Sequence, residues 1–283
     1  MKVVSVLFQT KDRGLASGLV NCGTRAGLAL GAPLIAWLVV TFGWHNSFFI
    51  LGFSSLLWLI PWLLIYPSHV AVPNNVRPAA TGRPGWLDRN LLGLCIGHVG
   101  FSYYWYLLVT WLPDYLVESR HMTLQRAGAY TVIPFLVFSI SEPLGGWLAD
   151  RLIRAGWGEA RARKGVITLA FFTSLMLLIG GRTADDTSAV LLIGGASLVG
   201  LATGNILALL QRVAPPNEVG LWTGILNFAG NLSGIVAPVV TGLLIARTGS
   251  YYPGFIVAVA VLIAGLPAYW FIVRDRAPTA SSA

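Results

Sequence analysis

Arg25 lies roughly ten residues inside an apolar stretch that opens at Leu15, about 15 Å along a helix at 1.5 Å per residue. A guanidinium at that depth pairs with a carboxylate, snorkels to an interface, or faces a watery cavity. In a cavity its planar fork would hold an anion bidentately. Asn227 and Asn231 stand four residues apart and so share one helix face. Asn205 sits in the apolar stretch before them. Amides at such depth suit a ligand's hydroxyl groups, and equally suit hydrogen bonds between helices. The run Tyr103-Tyr104-Trp105-Tyr106 offers an aromatic wall with phenol hydroxyls, with Tyr104 taken as its ligand-facing member. His98 precedes it by one or two turns, as a packed core histidine or a proton carrier.

Glu142 is a carboxyl in apolar surroundings, able to carry a proton or to close an ion pair with the basic residues that follow. Asp150, Arg151 and Arg154 alternate in sign where an apolar stretch ends. That pattern can lock two helix ends in one state and release them in another. It can also simply stop a span at the membrane surface.

These residues need elements to hold them, and the elements are apolar helices. A membrane span takes about twenty mostly apolar residues. Eight stretches qualify, near Leu15–Thr41, Trp44–Tyr66, Asn90–Val117, Gln125–Leu148, Val166–Gly180, Ala189–Leu210, Leu221–Ala246 and Tyr252–Val273. The expected fold class is therefore an all-α membrane protein. A mean hydropathy of +0.71 with only 11% charged residues supports it.

The net charge of +8 does not describe a nucleic-acid footprint, because the positive residues sit in short connections between spans. Fourteen Lys and Arg fall on one side, including Lys2, Arg151, Arg154, Arg163, Arg212 and Arg274. Four fall on the other: Arg120, Arg126, Arg182 and Arg247. The positive-inside rule makes the first side cytoplasmic, with both termini there and the chain in the plasma (inner) membrane. Cys22 and Cys95 lie inside spans, and no spacing suits a metal, so neither a disulfide framework nor a cofactor is expected.

Pro67–Asp88 is rich in Pro, Gly and polar residues and reads as a cytoplasmic linker. It divides residues 1–67, with two spans, from 90–274, with six; 275–283 form a tail. Glycines recur four apart at Gly23, Gly27 and Gly31, and again at Gly230 and Gly234, a spacing that lets helix backbones approach closely. No Gly-x-Ser-x-Gly elbow, phosphate-binding glycine loop or pair of acids on one face points to an enzyme.

Gly146-x-Leu148-Ala149-Asp150-Arg151 resembles the loop motif of the major facilitator superfamily, with Ile153 where that motif usually has Gly. Thr110-Trp111-Leu112-Pro113-x-Tyr115-Leu116 and Trp222-Thr223-Gly224-x-x-Asn227-Phe228-x-Gly230-Asn231 are similar to the anion:cation symporter branch, the galactonate, glucarate and phthalate type. The resemblance covers nearly the whole chain and implies a fold fragment like helices five to twelve. Helices one to three and most of four are then expected to lie outside it. Lys2 matches a position that usually holds Arg, Thr24 one where some members carry Gln, and Asn227 a polar substrate-facing position.

The resemblance implies symport of small organic anions, such as sugar acids, coupled to a proton or sodium ion and working by alternating access. Lys2 and Arg25 would supply positive charge, with Arg25 resting on its depth alone. Thr24, Tyr104, Asn205, Asn227 and Asn231 would bind polar groups. Asp150, Arg151 and Arg154 would set the conformational equilibrium, and Glu142 would stand in for the coupling carboxylate. A chain of this extent is expected not to transport alone. The alternative is a membrane protein that binds a partner chain or assists assembly without transporting.

Overall fold

The computed structural model describes residues 13–65 and 88–275. Every regular element among them is helical. Lipid offers backbone N–H and C=O groups no water, so each span must satisfy its own by helix formation.

Helix α1 (Arg13–Leu56) has two arms joined at Gly43, whose φ of 75° only glycine adopts without strain. Helix α2 (Leu59–Ile65) continues the second arm. Then follow α3 (Arg89–Asp114) with a π-turn at Tyr115–Ser119, α4 (Leu124–Arg154), α5 (Glu159–Thr173), α6 (Leu175–Arg182), α7 (Asp186–Ala196) with a 3-10 turn at Ser197–Ala202, α8 (Thr203–Val213), α9 (Val219–Thr248), and α10 (Tyr252–Ala264) with a π-turn at Ala268–Ile272. Seven helical stretches among the described residues are long and apolar enough to cross a membrane: Thr41–Leu64, Arg89–Ser119, Gln125–Arg154, Glu159–Arg182, Asp186–Val213, Val219–Thr248 and Tyr252–Ile272. The remaining expected span, Leu15–Thr41, is helical as the first arm of α1.

Local chemistry sets the helix ends. Asp88 accepts the N–H of Asn90 at 2.7 Å, Thr123 that of Arg126 at 3.3 Å, and Asp185 that of Ser188 at 2.7 Å. Each satisfies a donor that the first helical turn leaves unpaired. Gly249, at φ 67°, ends α9 in the left-handed conformation.

One connection differs from its expectation. The basic segment left between the expected spans Gln125–Leu148 and Val166–Gly180 is mostly helix, and only residues 155–158 separate α4 from α5. Part of its charge is buried and paired: Glu159 and Arg163 bond within one turn of α5 at 3.1 Å, while Arg151, Arg154 and Arg161 are exposed.

The first arm of α1 packs along α4 and α8, while α9 and α10 both pack on α3. Phe101, Trp105, Phe138, Phe171 and Tyr269 join rings at the centre, with Trp105 and Phe138 only 4.8 Å apart. By contrast, Thr41–Leu64 is mostly exposed and presents Phe48, Phe53, Leu63 and Leu64 outward.

Candidate binding cavity and interhelical charge cluster

Helices α3, α8 and α9 line an open cavity of about 400 Å³. Helix α3 lines it with His98, Phe101, Ser102, Trp105 and Tyr106, a stripe at helical spacing. Helix α8 adds Thr203, Ile206 and Leu207, and α9 adds Thr223, Leu226, Asn227, Gly230 and Asn231. Small residues let α9 come close: a Cβ on Gly230 would meet Ser102 Oγ at 2.6 Å and His98 Nε2 at 2.8 Å. A Cβ on Gly234 would meet the Tyr106 ring at 2.9 Å. Ser233 fastens the crossing by donating to the Val99 carbonyl at 3.1 Å.

The cavity's polar groups are mutually oriented. The Tyr106 hydroxyl donates to Asn231 Oδ1 at 2.5 Å, and Asn231 Nδ2 donates to the Asn227 carbonyl at 2.8 Å. Ser102, Thr203 and Thr223 are also among the lining residues, the Thr223 hydroxyl donating to the Val219 carbonyl at 2.7 Å. No Lys, Arg, Asp or Glu is among the described lining residues. Apolar walls with a few convergent donors and acceptors suit a small polar organic molecule.

A chain of charges runs beside α1 at the arginine-rich end. Asp150 Oδ2 accepts the N–H of Leu15 at 2.9 Å, so the carboxylate caps the start of α1. Asp150 Oδ1 lies 3.3 Å from Arg163, and Arg163 bonds Glu159 at 3.1 Å. Glu159 also bonds Arg212, which holds Asp275 at 2.7 and 2.9 Å. Arg163 is wholly buried, and a buried cation persists only with such partners.

A family model described as the Major Facilitator Superfamily matches residues 1–238 and again 161–283. The chain belongs to the Major Facilitator Superfamily. It is 31% identical over 298 residues to an uncharacterised transporter, YybO, of Bacillus subtilis, covering 97% of this chain and 68% of that protein. It is 27% identical over 301 residues to the D-galactonate transporter of Escherichia coli O6:H1, covering 97% and 70%. It is 30% identical over 279 residues to the probable sulfoacetate transporter SauU of Cupriavidus necator, covering 92% and 65%. The chain thus spans about two thirds of the length of these relatives. This facilitator is a multi-pass membrane protein of a transporter family, not an enzyme.

The structure brings only some of the expected site residues together. Asn227 and Asn231 line the cavity. Tyr104 does not: it is wholly buried, and its hydroxyl donates to the Ala196 carbonyl at 3.3 Å. Successive helical residues turn by about 100°, so Tyr104 and Tyr106 face different ways. Asn205 is also away from the cavity. Its Nδ2 donates to the carbonyls of Gly145 and Leu201, both at 2.9 Å, where α4 and the 3-10 turn touch backbone to backbone.

Glu142 is wholly buried on α4 and does not line the cavity. Arg151 lies over the exposed Trp147 ring at 5.5 Å, and Arg154 is exposed, so neither is the inward partner of Asp150. Lys2 lies outside the described residues, as do the side chains of Thr24 and Arg25.

Within the expected aromatic wall it is Trp105 and Tyr106, not Tyr104, that line the cavity; sequence reasoning missed Ser102, Thr203 and Thr223 as lining residues, and Arg163, Glu159 and Arg212 as partners. Two signals were available. His98, Phe101, Ser102, Trp105 and Tyr106 follow helical spacing, and Glu159 with Arg163 follows the spacing of an ion pair on one face.

Proposed function

We propose that this facilitator takes part in carrying small hydroxylated organic anions, sugar acids or related carboxylates, across the plasma (inner) membrane. The observation that carries this reading is the convergence of Asn227, Asn231, Tyr106, Ser102, Thr203 and Thr223 on one cavity. Amides and hydroxyls can match a polyol chain group for group. Relatives named as D-galactonate, hexuronate and probable sulfoacetate transporters support the class of ligand.

In this reading residues 90–274 form one half of an alternating-access carrier and 1–67 part of the other, with 68–89 between them. Lys2, Thr24 and Arg25 would complete the site from the opposite side, and both termini would be cytoplasmic. Coupling to a proton or sodium ion belongs to the proposal, with Glu142 as a proton-carrying group. Asp150, through Arg163, would favour the state in which α1 is docked, and Arg151 and Arg154 would hold the same end.

The described residues leave the second arm of α1 largely uncovered. We infer from this that the chain binds its anion but does not complete transport without a further covering surface. The same exposed arm is what favours the alternative of a partner-binding role.

The test is uptake of radiolabelled D-galactonate, D-glucarate and sulfoacetate by cells expressing the chain, beside binding of each to the purified protein. Binding without uptake is the expected result. Absence of binding, with a stoichiometric partner chain co-purifying, would replace the carrier reading with the partner one.

A further inference from the structure

The geometry points to a second binding site, at the end of the bundle away from the Asp150–Arg163 cluster, that takes a phospholipid by its phosphodiester group. Three spans end together there: Arg89–Ser119, Glu159–Arg182 and Tyr252–Ile272. Between them lies a polar cup of about 310 Å³, lined by Tyr115, Arg120, Arg182, Thr183, Tyr251 and Tyr252 among others. Tyrosines and arginines gathered where spans end mark the depth of lipid headgroups.

Both guanidiniums of the cup are held in place. Arg120 Nε donates to the Tyr115 hydroxyl at 2.8 Å, and its terminal nitrogens donate to the carbonyls of Ala184 at 3.2 Å and Gly180 at 3.0 Å. A guanidinium has more N–H donors than these bonds use, and the rest suit phosphate oxygens. Arg182 lies over the Tyr252 ring at 4.5 Å and is exposed. Ser250, also in the lining, accepts the Tyr252 N–H on its Oγ at 3.2 Å, which leaves its hydroxyl hydrogen to donate.

The groove beside the cup makes the ligand a lipid rather than a free anion. Arg182, Thr183 and Tyr252 also border an open groove of about 400 Å³, whose other walls are Leu178 and Ile179. These two stand four and three residues before Arg182 on α6, one helical turn toward the hydrocarbon. An acyl chain laid along exposed Ile179 would run from the cup into the bilayer, the direction in which a lipid points. The acids nearby do not fill the cup. Asp114 accepts the Tyr251 hydroxyl, Asp185 caps α7, and Asp186 faces Arg120 at 3.9 Å and Arg126 at 3.6 Å. Glu118 is exposed on the π-turn and is not among the described lining residues.

The experiment is native mass spectrometry of the full chain released from detergent micelles with one of three probes: palmitoyl-oleoyl phosphatidylglycerol, the diacylglycerol with the same chains, or glycerol phosphate. The phospholipid should be retained as an adduct. Diacylglycerol, lacking the phosphate, and glycerol phosphate, lacking the chains, should not. Arg182→Gln should lower phospholipid retention by about fivefold or more, the effect of one basic residue at a lipid surface. Arg182→Lys keeps the charge and should retain most of the adduct, which separates loss of charge from loss of fold. Arg247→Gln, exposed at the same end but outside the cup, should match the wild type. Undiminished retention by Arg182→Gln would overturn the site. Equal retention of diacylglycerol would reduce it to an apolar groove, and retention of glycerol phosphate would make it a free-anion site; either result overturns the lipid assignment.

Discussion

Asp150 Oδ2 accepts the backbone N–H of Leu15 at 2.9 Å, joining α4 to the start of α1 across 135 positions of sequence. The bond does two things. It satisfies one of the first donors of α1, and it puts a negative charge at the positive end of that helix. Because Asp150 also faces Arg163 at 3.3 Å, the docking of α1 and the neutralisation of a buried cation depend on one carboxylate.

Replacing Asp150 should therefore be costly. Asp150→Ala removes the cap of α1 and one of the acids that face buried Arg163. Breaking a buried pair typically costs about 3 kcal/mol or more. Chemical denaturation in detergent should read that loss. Asp150→Asn should retain part of the cap and lose less. An unchanged midpoint for Asp150→Ala would mean the cluster contributes nothing to the fold.

Asn205 gives a sharper contrast, because sequence and structure assign it differently. It bridges the Gly145 and Leu201 carbonyls and takes no part in the cavity. Asn205→Ala should lower stability by about 1–2 kcal/mol and leave anion affinity within about twofold. Thermal unfolding and D-galactonate binding on the same preparation check both halves.

At Gly230 the cavity and the helix crossing are one feature. A methyl there would overlap Ser102 and His98. Gly230→Ala should displace α9, cost about 1–3 kcal/mol, and weaken anion binding by more than tenfold. Gly224 has open space beside it, so Gly224→Ala is the matched control and should leave binding unchanged.

Arg212 ties the end of the last span to the charge cluster. Arg212→Ala frees Asp275, while Glu159 keeps its bond to Arg163. Hydrogen exchange should quicken around residues 273–275. The other ties there persist, since Lys164 donates to the Val273 carbonyl at 2.7 Å and Asn90 accepts the Arg274 N–H at 2.8 Å. Exchange spreading through the whole of α10 would show that this reading of the end is too local.

Acid should loosen the start of α7 first. The N–H and hydroxyl of Ser188 hold the Asp185 carboxyl below its ordinary value of 3.8. A lowered folded value means the cap is fully present above 3.8 and is lost as pH falls through the depressed value. Faster exchange at the Ser188 amide in that acid window, with α9 unaffected, is the expected outcome.

Much of the fold was readable because spans announce themselves by length and apolarity. The expected span at Val166–Gly180 was too short for a specific reason. Glu159, Arg163 and Lys164 looked like loop charges, but they pair inside α5 or bond the Val273 carbonyl and let the helix run on. The site was less readable. Four consecutive aromatic residues cannot show which of them faces a cavity, and the structure takes Trp105 and Tyr106 while sending Tyr104 toward Ala196. Asn205 and Asn227 look alike as buried amides. What separates them is whether neighbouring carbonyls already occupy the side chain, and that depends on how α4 meets the 3-10 turn.

The central claim, a hydroxylated anion held between α3, α8 and α9, is tested most directly by ligand protection. Asn227→Cys would be introduced after replacing Cys22 and Cys95, and its labelling by a maleimide followed with and without D-galactonate. The account predicts that D-galactonate slows labelling in proportion to its binding, while gluconamide, which keeps the hydroxyls but lacks the charge, does not. Labelling at the same rate with saturating D-galactonate, D-glucarate or sulfoacetate would contradict it.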